Sequence, residues 1–140
     1  MPDERAPASR DVQVAFVTFD CADQHRVADF WQSLLALTDR EERGPYVFAQ
    51  ASSGLGFGFQ RVEGEKAAKN RVHLDLRSGD VAATRARVRE LGGSEPDGYA
   101  AGGFLVMADP EGNEFCVLPE GSAALDDEGN AHYEHGEAAL

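Results

Sequence analysis

Between positions 23 and 37, apolar side chains return at the spacing of an α-helix. Val27, Phe30, Trp31, Leu34 and Leu35 fall at i, i+3, i+4, i+7 and i+8, which gathers them on one face. Asp23 stands where an N-cap is needed, its carboxylate able to accept from the free amides of the first turn. A second helix is predicted over about 80–91, with Val81, Val88 and Leu91 inward and Arg85, Arg87 and Arg89 largely outward. It ends at Gly92-Gly93, where positive φ is available. Around the helices lie stretches rich in β-branched and aromatic residues, predicted as strands at 12–19, 46–51, 55–62, 71–78, 104–108 and 114–118. Two more strands are predicted at 38–43 and 95–100. Ser52-Ser53-Gly54 and Asp109-Pro110-Glu111-Gly112-Asn113 supply the turns.

The order β-α-β-β-β therefore occurs twice. Asp23 and Asp80 stand 57 residues apart, and aligning them sets Phe16 beside His73 and Thr18 beside Asp75. Aligning Gly54 with Gly112 sets Phe57 beside Phe115 and Gly58 beside Cys116. One supersecondary unit used twice buries each helix against its own sheet and leaves the other sheet faces to be accounted for. Alternation along 71–77 sends Val72, Leu74 and Leu76 toward a helix and Arg71, His73, Asp75 and Arg77 to the opposite side. A solvated face would give the same alternation. A strand that opens a module is expected to be central, however, so a concave pocket suits the polar set better.

Charge and cysteine usage narrow the partners. A net charge of −12 argues against nucleic acid and against an anionic membrane surface. No apolar run reaches the roughly 20 residues that span a bilayer, and positions 1–10 form a flexible start with no apolar signal core, so a cytoplasmic location is expected. Cys21 and Cys116 are too few for a disulfide framework and read as buried, reduced thiols. Residues 121–140 read as an acidic, solvated tail, and His132 and His135 within it as incidental metal binders at most. The folded part is expected over 11–120, as modules at about 11–64 and 70–120.

In this order and spacing, three segments carry a family resemblance: Asp109-Pro110-Glu111-Gly112-Asn113-Glu114-Phe115, Ala28-Asp29-Phe30-Trp31 in the first helix, and Val72-His73-Leu74-Asp75-Leu76. Over 12–119 the chain resembles the vicinal oxygen chelate superfamily of glyoxalase I, extradiol dioxygenases and bleomycin or fosfomycin resistance proteins. It looks closest to the small glyoxalase-like proteins. The resemblance implies an α+β fold of two βαβββ modules, with curved mixed sheets around a cup-shaped pocket. It also implies a homodimer, and in the metal-dependent members four ligands from the opening and closing strands of both modules. Transferred here, those positions are Phe16, Gly58, His73 and Cys116, of which Phe16 and Gly58 offer no side-chain donor. No metal and no cofactor are therefore expected. A one-residue shift leaves an improvised set of His73, Asp75 and Cys116, set aside because His and Asp at i and i+2 on a strand rarely converge on one ion.

The expectation is a module that binds or sequesters a small metabolite or antibiotic. Its ligand would lie among Phe16, Gln60, Arg71, His73, Asp75, Arg77 and Cys116. Tyr46, Tyr99, Phe57 and Phe59 offer further aromatic surface, although alternation also allows Phe57 and Phe59 to pack under the first helix. The alternative is an enzyme of lyase, isomerase or dioxygenase type with His73 as acid or base, or with a non-standard metal site.

Overall fold

The structure, a computed structural model, describes residues 12–99, 105–120, 123–125 and 131–133. The expected flexible start at 1–10, the strand-end residues Ala100 and Phe104, and Glu134 and His135 lie outside them. In chain order the elements are β1 (Phe16–Cys21), α1 (Gln24–Leu35), β2 (Thr38–Arg43), β3 (Tyr46–Gln50), β4 (Gly56–Arg61), β5 (Leu74–Ser78), α2 (Val81–Glu90), β6 (Ser94–Tyr99), β7 (Leu105–Ala108), β8 (Glu114–Pro119), β9 (Ala123–Leu125) and β10 (Ala131–Tyr133).

Local chemistry sets the helix ends. Asp23 accepts from the Arg26 amide at 3.2 Å and Asp80 from the Ala83 amide at 2.9 Å, so each aspartate satisfies an orphan donor of the first turn. Helix α1 stops where Ala36 turns left-handed, at φ 54°; α2 stops at Leu91, and Gly92 follows at φ 100°. Gly93 is required for a different reason. A Cβ there would lie 2.5 Å from Val88 Cγ1 and 2.6 Å from the Ala108 carbonyl oxygen, so the chain can pass this close only without a side chain.

The two modules repeat one topology. The first sheet runs β1-β4-β3-β2 and the second β5-β8-β7-β6; β1 pairs parallel with β4 and β5 with β8, and every other pairing within the two sheets is antiparallel. Thr18 pairs with Gly58 and Asp75 with Cys116, the same relation expected from the repeat. In the stretch expected to be an acidic tail, β9 and β10 pair antiparallel, with Ala123 opposite Tyr133.

One core serves both modules, and α1 lies at its centre. Val47, Ala49, Phe57 and Phe59 of the first sheet and Leu105, Met107, Phe115 and Val117 of the second are buried with Val27, Phe30 and Trp31 of α1. Trp31 meets Phe19 at 5.1 Å, Phe30 at 5.2 Å and Phe115 at 4.9 Å between ring centroids, so its indole joins the sheets. Phe57 and Phe59 thus take the place under the helix that alternation allowed.

Two strands are shorter than expected. Val12 and Val14 are exposed outside β1, because β4 begins only at Gly56 and its last bond in this direction, from the Gly56 amide, goes to the Ala15 carbonyl. Val72, expected to face a helix, is 81% exposed. The register sets Leu74 opposite Phe115, one residue from the start of β8, so residues 71–73 run past the end of the ladder and alternation no longer governs them.

Candidate functional site

Strands β1 and β5 each close one edge of their sheet. A cavity of about 390 Å³ lies where residues of both meet the connecting segment around 62–73. Its apolar lining comes from Phe19, Trp31, Val72, Leu74 and Phe115, and its polar groups include Thr18, Asp20, Arg71, His73 and Asn113. Lys66 pairs with Glu114 at 3.0 Å, and the Asn70 amide donates to the same carboxylate at 3.1 Å, which holds the connecting segment against the start of β8. Burial alone would raise the pKa of the Glu114 carboxyl. The Asn70 amide and the Lys66 ammonium outweigh it and hold the carboxyl below its ordinary value.

The loop after β7 forms another wall, and its motif has a structural task. Asp109, 2% exposed, accepts from the amides of Glu111 and Asn113 at 2.9 and 3.0 Å, from Asn113 Nδ2 and, at 3.0 Å, from Trp31 Nε1. Glu111 accepts from the amides of Ala22 and Asp23, both at 2.7 Å. Arg26 donates to the Pro110 carbonyl at 3.1 Å. Two of the segments that carried the family resemblance therefore bond to each other, and they clamp the second module onto the first.

The residues singled out in the sequence fall in three places. Arg71 and His73 line the cavity. Asp75 and Cys116 lie beside His73 on the outer face of the second sheet: His73 Nε2 is 3.2 Å from Asp75 Oδ1, and the ligating atoms of all three residues lie within 4.8 Å of one another. Arg77 follows on the same face of β5 and is exposed. Phe16 and Gln60 stand apart, on the outer face of the first sheet. There Phe16 meets Phe48 at 5.3 Å, and Tyr46 stacks on Phe48 at 5.6 Å. Sequence reasoning missed Thr18, Asp20, the floor at Trp31 and the connecting segment before Arg71, because a cavity between two sheet edges leaves no periodic trace in either strand.

Neither thiol is poised for nucleophilic chemistry. Cys21 donates to the Phe19 carbonyl at 3.2 Å, and burial, reinforced by Glu111, Asp109 and Asp20, pushes it up to about 12. Burial, with the charge and hydrogen bond of Asp75 added, pushes Cys116 up to about 11.

The four-strand metal set implied by the resemblance does not fit these residues. Phe16 and Gly58 bring no donor. A Cβ at Gly58 would lie 2.8 Å from Thr18 Oγ1, so any side chain there would first have to displace that hydroxyl.

The comparisons agree with this fold. The family described as glyoxalase-like domain matches residues 16–118. No curated protein matches the chain. Among solved structures, a glyoxalase-related enzyme from Fulvimarina pelagi is 18% identical at a TM-score of 0.61, covering 86% of this chain and 97% of its own. A glyoxalase/bleomycin resistance protein/dioxygenase family enzyme from Burkholderia phytofirmans is 16% identical at a TM-score of 0.62, covering 77% and 98%. The genomically encoded fosfomycin resistance protein from Listeria monocytogenes is 13% identical at 0.60, covering 77% and 91%. At these identities the likeness is one of fold.

Proposed function

Since the chain belongs to the glyoxalase-like domain family, within the vicinal oxygen chelate superfamily, we propose that it binds a small, partly apolar molecule in the cavity between β1 and β5. The observation that carries this reading is the pairing of an apolar floor, Trp31 and Phe115, with Arg71 and His73 at the wall. The floor suits a flat or apolar body, and Arg71 suits an anionic or hydrogen-bonding end. Binding of this kind needs no four-ligand metal centre. A net charge of −12 opposes nucleic acid as the occupant, and no helix among the described residues is long and apolar enough to cross a membrane. The proposal includes a cytoplasmic location and a homodimer that covers the exposed apolar surface of Phe16 and Tyr46.

Thermal-shift screening of a metabolite and antibiotic panel tests it. A hit should raise the melting temperature of wild type, and the shift should fall in Arg71→Ala and in His73→Ala. A shift indifferent to both substitutions would place binding elsewhere.

The second reading is catalytic. Asp75 Oδ1 at 3.2 Å from His73 Nε2 orients the imidazole as a carboxylate orients a general base. Recovery of a bound molecule unchanged after long incubation, in the presence of candidate co-substrates, would exclude turnover. A new product absent from His73→Ala would establish it.

A further inference from the structure

The outer face of the second sheet carries a cluster that shares only His73 with the cavity. His73, Asp75 and Cys116 present an imidazole nitrogen, a carboxylate oxygen and a sulfur within 4.8 Å of one another. We propose that these three side chains hold one zinc-class divalent ion, bound by the second module alone, with a fourth coordination position open to solvent. This set differs from the four-strand set tested above. It takes nothing from the first module, and its carboxylate comes from β5 itself.

The geometry is close to what such an ion asks for. Zn–N and Zn–O distances of about 2.0–2.1 Å and one Zn–S of about 2.3 Å give tetrahedral ligand-to-ligand edges of about 3.3 to 3.6 Å. The His73–Asp75 edge, 3.2 Å, is already of that length. The remaining edges are no longer than 4.8 Å, so side-chain rotation has to shorten them on binding. His73 has the freedom to rotate because it precedes β5 and lies outside the ladder, whereas Asp75 and Cys116 are fixed as direct partners across the parallel pair.

Strand position also removes the objection to His and Asp at i and i+2. The two side chains need not project in parallel, since only Asp75 sits on regular strand. The donor chemistry selects the ion: one thiolate, one imidazole and one carboxylate suit zinc or cobalt(II) and are poor for magnesium or calcium, which take oxygen ligands. The setting is graded as well, with the sulfur nearly buried at 5% exposure and the imidazole and carboxylate side chains open at 40% and 53%, so an ion can enter from solvent.

Cobalt(II) titration of chelator-treated full-length protein provides the test, because a thiolate ligand adds a near-ultraviolet charge-transfer band that imidazole and carboxylate ligands do not. One equivalent should produce the band, and zinc should abolish it by displacement. Cys116→Ser should lose the band, whereas Cys21→Ala should keep it. Asp75→Asn and His73→Ala should weaken binding about tenfold or more, since loss even of a hydrogen bond to a ligand costs about 10- to 100-fold. Asp75 is exposed, so its variant remains informative should Cys116→Ser fold poorly, and far-ultraviolet circular dichroism checks each variant.

No stoichiometric binding, a band that survives Cys116→Ser, or binding without any band, as the tail histidines would give, overturns the assignment. Repeating the thermal-shift screen in chelator keeps this result separate from the cavity proposal, which requires no ion.

Discussion

Asp109 shows how much one buried carboxylate can organise. It receives two backbone amides, the Asn113 side chain and the Trp31 indole while only 2% exposed. Removing it strands several donors away from water, each costing about 1–3 kcal/mol, and the loop can relax to recover part of that. Asp109→Ala should therefore lower stability by about 2–4 kcal/mol in urea unfolding. Trp31 is the sole tryptophan, so its fluorescence reports the site directly. Trp31→Phe should cost less, because Asp109 keeps its other donors. Equal losses would mean that the aromatic packing of Trp31 against Phe19 and Phe115, rather than the hydrogen bonds, holds the loop. The sequence marked this turn by its composition. It could not assign the turn a structural task, because Trp31 is 78 residues away.

At the scale of elements, α2 is the less firmly buried helix. Val88 is its only fully buried side chain among the described residues, and it is held instead by charge. Glu95 of β6 accepts from Arg85 Nε at 2.9 Å and pairs also with Arg89, which ties the last turns of α2 to an edge strand. The Arg85 hydrogen bond first, then that of Arg89, hold the Glu95 carboxyl below its ordinary value of 4.5. A depressed acid stabilises the fold fully above its unfolded value, and that contribution is lost as pH falls through the folded value. Glu95→Gln should thus be less stable than wild type at pH 7. The gap should narrow as pH drops below about 4.5, measured as urea midpoints across the acid range. A gap independent of pH would show that the glutamate acts by shape and not by charge. Both helices were legible from periodicity and their aspartate caps, because those signals are local. The Glu95 clamp was not, since the arginines had been read only as an outward face.

The whole molecule stands or falls on the docking of two similar halves. The shared core around Trp31 and the Glu111 bonds to Ala22 and Asp23 leave neither module a complete interior of its own. Unfolding is expected to be a single transition, with Trp31 fluorescence and far-ultraviolet circular dichroism coincident in denaturant. Two separated transitions would mean that the modules fold independently. Glu111→Ala, which removes two charge-assisted bonds from amides that water can reach in its place, should lower the midpoint by the equivalent of about 1–2 kcal/mol without splitting the transition. By itself the sequence determined the two βαβββ modules, the approximate helix boundaries, the equivalence of the two halves and the absence of donors at Phe16 and Gly58. All of these follow from local periodicity, turn chemistry and an internal repeat. Tertiary structure alone decided that β5 begins at Leu74, that a cavity opens between β1 and β5, and that His73 converges with Asp75 and Cys116. The physical reason is that strand alternation specifies a face only where a neighbouring strand is present to pair. Past the end of a ladder, the partner elements decide where a side chain goes.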